Sequence, residues 1–196
     1  MEKTKLLIVY YSMTGHNYQM AKWAKDEAKK NGAEVRLRKV KELMDTSNPN
    51  PGWAKYLEDS KDVEEATSDD IVWADAILFS SPTRFGNVAS QMKYFLDSQS
   101  GIWGEGKTVN KVVSAMTSAQ NDHGGQEMTI QTIYYTMMHW GAIIVPTGYT
   151  DDSVFAAGGN PYGSSGTATR EGFANDLEGA VRHQTNRLLD VAGKLK

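Results

Sequence analysis

The sequence predicts an α/β fold, a doubly wound five-stranded parallel sheet with helices on both faces. Three observations predict it. Continuous apolar runs recur along the chain as KLLIVYY, DAILFSS, KVVSAM and AIIVP; helical stretches, and not tight hairpins, separate them; and three of the runs end in polar, glycine-bearing loops. Strands buried on both faces read as unbroken apolar runs, and parallel neighbours need a crossover long enough to hold a helix.

The first run, Leu6 to Tyr11, leads through a hydroxyl-rich loop into a helix expected over residues 17–31, with Gly32 as its C′ residue. The second strand, EVRLRKV, alternates Val35, Leu37 and Lys39 against charged neighbours, as an edge strand covered on one side should. The third, DAILFSS, precedes a helix at 88–98, the fourth, KVVSAM, a helix at 125–140, and the fifth, AIIVP, a last helix at 170–196. Three stretches depart from this alternation: 41–70, 99–107 and 148–169. Their aromatic residues, among them Trp53, Tyr56, Trp103, Phe155 and Tyr162, suit subunit contacts or site walls. With no linker and no repeat beyond the β–α alternation, residues 1–196 read as one domain.

Composition narrows the function. The apolar share of 40%, the charged share of 23% and the net charge of −3 are ordinary, and give no reason to expect nucleic acid. The absence of cysteine excludes disulfides, thiolate metal sites, iron–sulfur clusters and a thiol nucleophile, so redox chemistry must come from a bound cofactor. The first apolar run is shorter than a signal-peptide core or a membrane span, which leads us to expect a soluble, cytoplasmic protein without a membrane segment.

Ligands of a doubly wound sheet sit outside the carboxyl ends of its strands, so the loops there carry the functional reading. In the first loop Ser12, Met13, Thr14, Gly15, His16 and Asn17 bring hydroxyls and free N–H groups to a helix N-terminus, an arrangement suited to an anion. One glycine and no lysine rule out a Walker P-loop and a dinucleotide turn, leaving a loop that could close on a phosphate monoester. The alternative is that Ser12 or Thr14 merely caps the helix. A phosphoacceptor receiver domain is excluded, since it needs acidic residues after strands one and three. After strand three, Pro82 and Gly86 bracket Thr83, Arg84 and Phe85, a tight turn suited to the edge of a planar heterocycle. After strand four, Thr117, Ser118, Ala119, Gln120 and Asn121, followed by His123, Gly124 and Gly125, supply hydrogen-bonding groups and unusual backbone angles.

The combination of YYSMTGH at 10–16, PTRFGN at 82–87, HGGQE at 123–127 and GGNPYG at 158–163 resembles WrbA-type NAD(P)H:quinone oxidoreductases of the flavodoxin-like family, along essentially the whole chain. The resemblance implies strand order 2-1-3-4-5, non-covalent FMN, NADH or NADPH as reductant, a quinone or similar small acceptor, and a homotetramer whose sites draw on neighbouring subunits. It also implies that residues 12–17 hold the FMN phosphate, that Pro82 to Gly86 wrap the isoalloxazine edge, and that Thr117 to Gly125 complete the flavin contacts. Trp103 matches a tryptophan lying over the flavin site, often from another subunit. Three departures stand out: Thr14 replaces the commoner tyrosine implicated in nucleotide contacts, the fourth-strand loop is longer and more polar, and His139-Trp140 stands where the family has paired histidines.

Other residues keep two readings each. His123 contacts the flavin or nothing, and lacks companions at metal-ligand spacing, so no metal site is expected. His139 serves the substrate site or the helix dipole, Trp140 the flavin rim or the core, and Arg84 nucleotide phosphates or a carboxylate. Residues 126–140 carry more apolar surface than one helix face needs, which we assign to an oligomer contact. The activity expected is two-electron transfer from NAD(P)H to a quinone by hydride transfer through flavin N5, with no catalytic side chain required. A flavodoxin-type electron carrier and an FMN-binding interaction protein are the alternatives.

Overall fold

A computed structural model describes residues 3–196. Strand β1 (Lys5–Tyr10) is inaccessible from Leu6 onward, and helix α1 (His16–Lys30) returns the chain with Met20, Ala21, Ala24 and Ala28 buried on one face. Gly32, at φ +81, follows the C-cap Asn31, the left-handed exit that glycine makes without steric cost. Strand β2 (Glu34–Lys39) pairs along its whole length with β1, and an isolated bridge joins Lys39 to Glu65 on its other side.

The stretch at 41–70 is more regular than its composition suggests. Helix α2 (Pro51–Asp59) starts with Asn50 accepting from Trp53 N at 3.0 Å and proline at the first helical position. Helix α3 (Ser68–Trp73) opens with a reciprocal capping box between Thr67 and Asp70. Arg36 and Arg38 of β2 both reach Asp70, and Arg36 lies 4.1 Å from the Trp73 ring centre, so the charged side of the edge strand is covered as well.

Strand β3 (Ala76–Arg84) turns into the two-residue strand β4 (Asn87–Val88), then helices α4 (Ser90–Asp97) and α5 (Ser100–Gly104) follow. Strand β5 (Val112–Ala119), wholly buried, leads to helix α6 (Gln126–His139). The fifth main strand is shorter than expected. Strand β6 (Ile143–Ile144) pairs with Val112 and Val113, and strand β7 (Ser165–Thr167), reached after the short helix α7 (Asp152–Ala156), pairs with Thr117 to Ala119. One edge of β5 is thus held by two pieces separated by a long excursion.

The last helix, α8 (Glu178–Lys194), begins eight residues later than its expected start at 170. Residues 170–177 instead fold back, because Asn175 Nδ2 donates to the carbonyls of Ala157 and Ser165 while its Oδ1 accepts from Thr167 N. An amide that occupies three backbone groups holds a turn, which periodicity cannot reveal.

The sheet runs β2-β1-β3-β5-β6, all parallel, which in main strands is the expected 2-1-3-4-5. Alternation assigns Leu6, Ile8 and Tyr10 to the core shared with α1, α2 and α8, and Leu7, Val9 and Tyr11 to that shared with α3, α4 and α6. Fully burying such side chains contributes about 1.5–3 kcal/mol each, enough to fix the register against a one-residue slip.

Candidate active site

Three loops leave the carboxyl ends of β1, β3 and β5 and enclose a cleft of about 480 Å3. Its wall contains Arg84 and His16 but no carboxylate, in a chain with 24 acidic residues.

The first loop settles the question of capping. Ser12 Oγ accepts from Gly15 N at 3.0 Å, and Gly15 is the N-cap of α1, at φ +92, with no side-chain cap. Neither Ser12 nor Thr14 therefore satisfies the first-turn N–H groups, and no acidic residue stands in that turn. Unmet donors and the positive end of a 15-residue helix remain for an anion. Thr14 Oγ1 lies 3.0 Å from His16 Nδ1, whose other nitrogen Nε2 is 2.9 Å from the Thr169 carbonyl.

Asn17 has a different position from the one expected of a phosphate donor. Its side chain is buried, with Nδ2 donating to Ser80 Oγ at 3.0 Å and lying 4.0 Å from Met20 Sδ, and Oδ1 accepting from Ser118 Oγ at 2.6 Å. It ties the start of α1 to β3 and β5 and forms the floor of the cleft. Thr117 is likewise a correction: fully buried, it donates to the Ser81 carbonyl at 2.6 Å and lies behind the wall.

The second loop is a hairpin between β3 and β4 with Phe85 and Gly86 at its tip, at φ +52 and +77. Positive φ at both central residues belongs to a type I′ turn, whose first position normally carries Asn, Asp or Gly. Phe85 occupies it with its side chain wholly exposed, a strained aromatic with no ring partner among the described residues. Thr83 holds the hairpin to the third loop, with Oγ1 donating to Gly124 O at 3.1 Å, accepting from Gly86 N at 3.2 Å, and 2.8 Å from Thr129 Oγ1. Arg84 folds Nη1 onto the Thr83 carbonyl at 3.0 Å and approaches Met13 Sδ, so it joins the first two loops, with no carboxylate partner among the described residues. Tyr11, beneath them, donates to Glu42 at 3.1 Å; burial and that carboxylate push its phenol up, and it stays protonated near neutrality.

Ala119, Gln120, Asn121 and Gly124 complete the cleft, together with Pro82 and Met13. Gly125 caps α6 at φ +85 without a side-chain cap, while His123 and Gly125 border an adjoining hollow of about 560 Å3 beside residues 157–175. Ala168 and Thr169 lie in the stretch at 148–169 read as a subunit contact or site wall, but the sequence does not single them out there, because the excursion that delivers them has no strand-to-helix signature.

Trp103, His139 and Trp140, read for the substrate site and the space over the flavin, stand elsewhere. Trp140 is a core residue, packed edge-on against Phe79 at 6.4 Å between ring centres and almost inaccessible, which decides for the core between its two readings and removes it from the substrate site. Trp103 donates from Nε1 to the His139 carbonyl at 2.9 Å. His139 ends α6, which starts two residues after Gly124 of the cleft wall, so 14 residues put the pair about 20 Å away at the other end of the helix.

The residues fit a flavin mononucleotide: an uncapped helix end with hydroxyls for a terminal phosphate, an acid-free wall, and polar loops around a space for a planar ring. Comparison with known proteins agrees. Among solved structures the chain is similar to a flavodoxin-type WrbA-like protein from Agrobacterium tumefaciens, with a TM-score of 0.68 and 24% identity over 99% of this chain and 100% of that one. The fold is thus flavodoxin-like. The NADPH-dependent FMN reductase family model matches residues 4–154, and the chain belongs to that family. It is also 50% identical over 193 residues, 97% of its length and 96% of the relative's, to an NAD(P)H dehydrogenase (quinone) of Deinococcus radiodurans. A protein of the same name from Brucella abortus is 39% identical over 97% of this chain and 98% of its own.

Proposed function

We propose that this protein is an FMN-dependent, WrbA-type oxidoreductase that passes two electrons from NADH or NADPH to a quinone. The observation that carries the reading is the uncapped N-terminus of α1 facing a cleft without carboxylates. The names of full-length relatives, one at 50% identity, support the same activity.

Bound there, FMN would supply the two-electron hydride chemistry that links a nicotinamide reductant to a quinone. The chain's task is to bind, orient and shield. Ser12, Thr14 and the first-turn N–H groups of α1 would hold the phosphate, with Gly15 permitting close approach and Asn17 keeping the floor rigid. Pro82 to Gly86 would border the ring, Phe85 would exclude water from its edge, and Ser118 to Asn121 with Gly124 would serve its polar rim. None of these groups has to exchange a proton for the reaction to run.

We assign the active form to a homotetramer. Met128, Tyr135 and Met138 form an exposed apolar stripe along α6, and Trp103 stands exposed at its end, so a neighbouring subunit could bring Trp103 and His139 to a cleft that they cannot reach in their own. Residues 1–196 then act as one FMN-binding domain. Among the described residues no helix is long and apolar enough to cross a membrane, and we assign the activity to the cytoplasm, where a cysteine-free chain meets its nicotinamide reductant.

The test is a visible spectrum of the purified protein, loaded with FMN and desalted, followed under anaerobic conditions. Bleaching by NADH or NADPH with recovery on adding benzoquinone is expected. Retained flavin that neither nucleotide bleaches would point to an electron carrier, and loss of the flavin on desalting would overturn the phosphate loop.

A further inference from the structure

Building on FMN as the ligand of this cleft, we infer that His16 is a positioning residue whose protonation sets the polarity of Thr14, so that the phosphate is bound together with a proton. The argument starts from the Thr169 carbonyl, which can only accept a hydrogen bond. His16 Nε2, 2.9 Å away, therefore carries hydrogen. In the neutral ring Nδ1 is then an acceptor, and at 3.0 Å it takes the hydroxyl hydrogen of Thr14. Thr14 in that state offers the loop lone pairs alone, the wrong polarity for an anion. A proton added at Nδ1 reverses the bond: Nδ1–H donates to Thr14 Oγ1, the threonine O–H turns free to donate to a phosphate oxygen, and a positive charge arrives at the loop. No bond other than these hydrogen bonds changes, and the proton comes from solvent.

The surroundings leave the decision to the phosphate. A hollow of about 680 Å3 behind His16 is shared by Lys22 of α1, Lys55 and Asp59 of α2, and Arg170, Glu171, Asp176 and Glu178 of the folded-back segment and α8. Lys55 pairs with Asp59, Glu178 with Arg182, and Lys22 lies over the Tyr18 ring, while Arg84 borders the cleft on the other side. Charges of both signs, Lys22, Arg170 and Arg84 against Glu171 and Asp176, thus border the two spaces on either side of the imidazole. A phosphate monoester carries close to two negative charges at neutral pH and tips this mixed set toward the imidazolium. The ring is also held in place edge-on to Phe173, 5.3 Å between centres, so it cannot swing away from Thr14 without leaving that contact.

Calorimetric titration of the protein with FMN at pH 7.5, in buffers of different ionisation enthalpy, tests the relay. Uptake of a fraction of a proton, up to one, per FMN is expected, with none for riboflavin, which lacks the phosphate. FMN affinity should weaken from pH 7 to 9, by up to about tenfold per unit, after the phosphate's own titration near pH 6 is complete. His16→Gln should abolish the uptake and flatten that dependence, and Thr14→Val should reduce the uptake strongly. Nitrogen-15 spectra of the imidazole should show Nε2–H alone in the free protein and both nitrogens protonated with FMN. FMN binding without proton uptake, or uptake that survives Thr14→Val, overturns the relay while leaving the cofactor assignment intact; failure to bind FMN overturns both.

Discussion

Gly86 and Gly125 meet backbone to backbone: a Cβ built on Gly125 would stand 2.6 Å from the Gly86 Cα, closer than any side-chain carbon tolerates. Two walls of the cleft, the β3–β4 hairpin and the start of α6, are joined at this point, and Gly125 also needs φ +85 to cap its helix. Gly125→Ala should cost about 2–4 kcal/mol from left-handed strain and forced separation of the walls. In a chain of this size that lowers Tm by about 5–15 °C. FMN retention should fall further than the melting temperature suggests, since the hairpin itself is displaced. An unchanged Tm in a thermal melt of the FMN-free protein would show that the contact yields easily.

Phe85 sits where Asn belongs in a type I′ turn, so the protein carries strain at the tip of its site. Phe85→Asn removes that strain and loses no packing, because the ring is wholly exposed. The FMN-free variant should melt about 2–4 °C higher, the equivalent of about 1 kcal/mol. Its affinity for FMN should drop, the exchange expected where strain serves a binding surface. Equal or tighter FMN binding by the variant would remove Phe85 from the site.

Asp70 receives Arg36 at 3.0 Å and Arg38 at 3.2 Å and also caps α3. Burial by itself would raise its carboxyl, but the Thr67 backbone N–H and Arg36 outweigh that and hold it below the ordinary range. A lowered folded value means that the stabilisation is present above the unfolded pKa of about 3.9 and vanishes as pH falls through the folded one. Asp70→Asn should therefore lose about 2–3 kcal/mol at pH 7, somewhat less than a fully buried pair because Arg36 stays partly exposed. The gap to the unaltered protein should begin to narrow below about pH 4 and close only once the pH has fallen through the lowered folded value. Urea unfolding at pH 7 and at a series of pH values descending from about 4 checks it, and a gap that does not narrow along that series would assign the loss to packing.

Tyr135 and Met138 stand on the outward stripe of α6, 57% and 61% exposed, so glutamate at both should leave the isolated fold within about 0.5 kcal/mol of its stability. Sedimentation should then give a tetramer for the unaltered protein and smaller species for Tyr135→Glu with Met138→Glu. Quinone turnover should fall with assembly if Trp103 reaches a neighbour's cleft. A monomeric parent, or a variant that still assembles, would separate this stripe from oligomerisation.

The strands were readable because burial on both faces leaves runs such as Leu6 to Tyr11 and Ala76 to Phe79 nearly free of polar residues. The helices α2 and α3 were not, although Asn50-Pro51 and Thr67 to Asp70 carry capping signals that a search for start sites would have found. The start of α8 was misplaced because Asn175 satisfies backbone groups of residues 157, 165 and 167, a contact outside any local window. Trp140 shows a limit of another kind: an aromatic at a helix end has the same local sequence whether it faces Phe79 or solvent.

By itself the sequence determined the parallel α/β class, the order of its elements, the three loops that make the site and the exclusion of cysteine chemistry. These follow from periodicity, turn residues and composition, all written within short windows of the chain. The tertiary structure decided what each polar group does there. Asn17 could become a floor strut only when Ser80 and Ser118, 63 and 101 residues away, were brought to its amide, and His16 could orient Thr14 only once Thr169, 153 residues away, was folded beneath its ring. A polar side chain has several hydrogen bonds open to it, and distant residues decide which of them form.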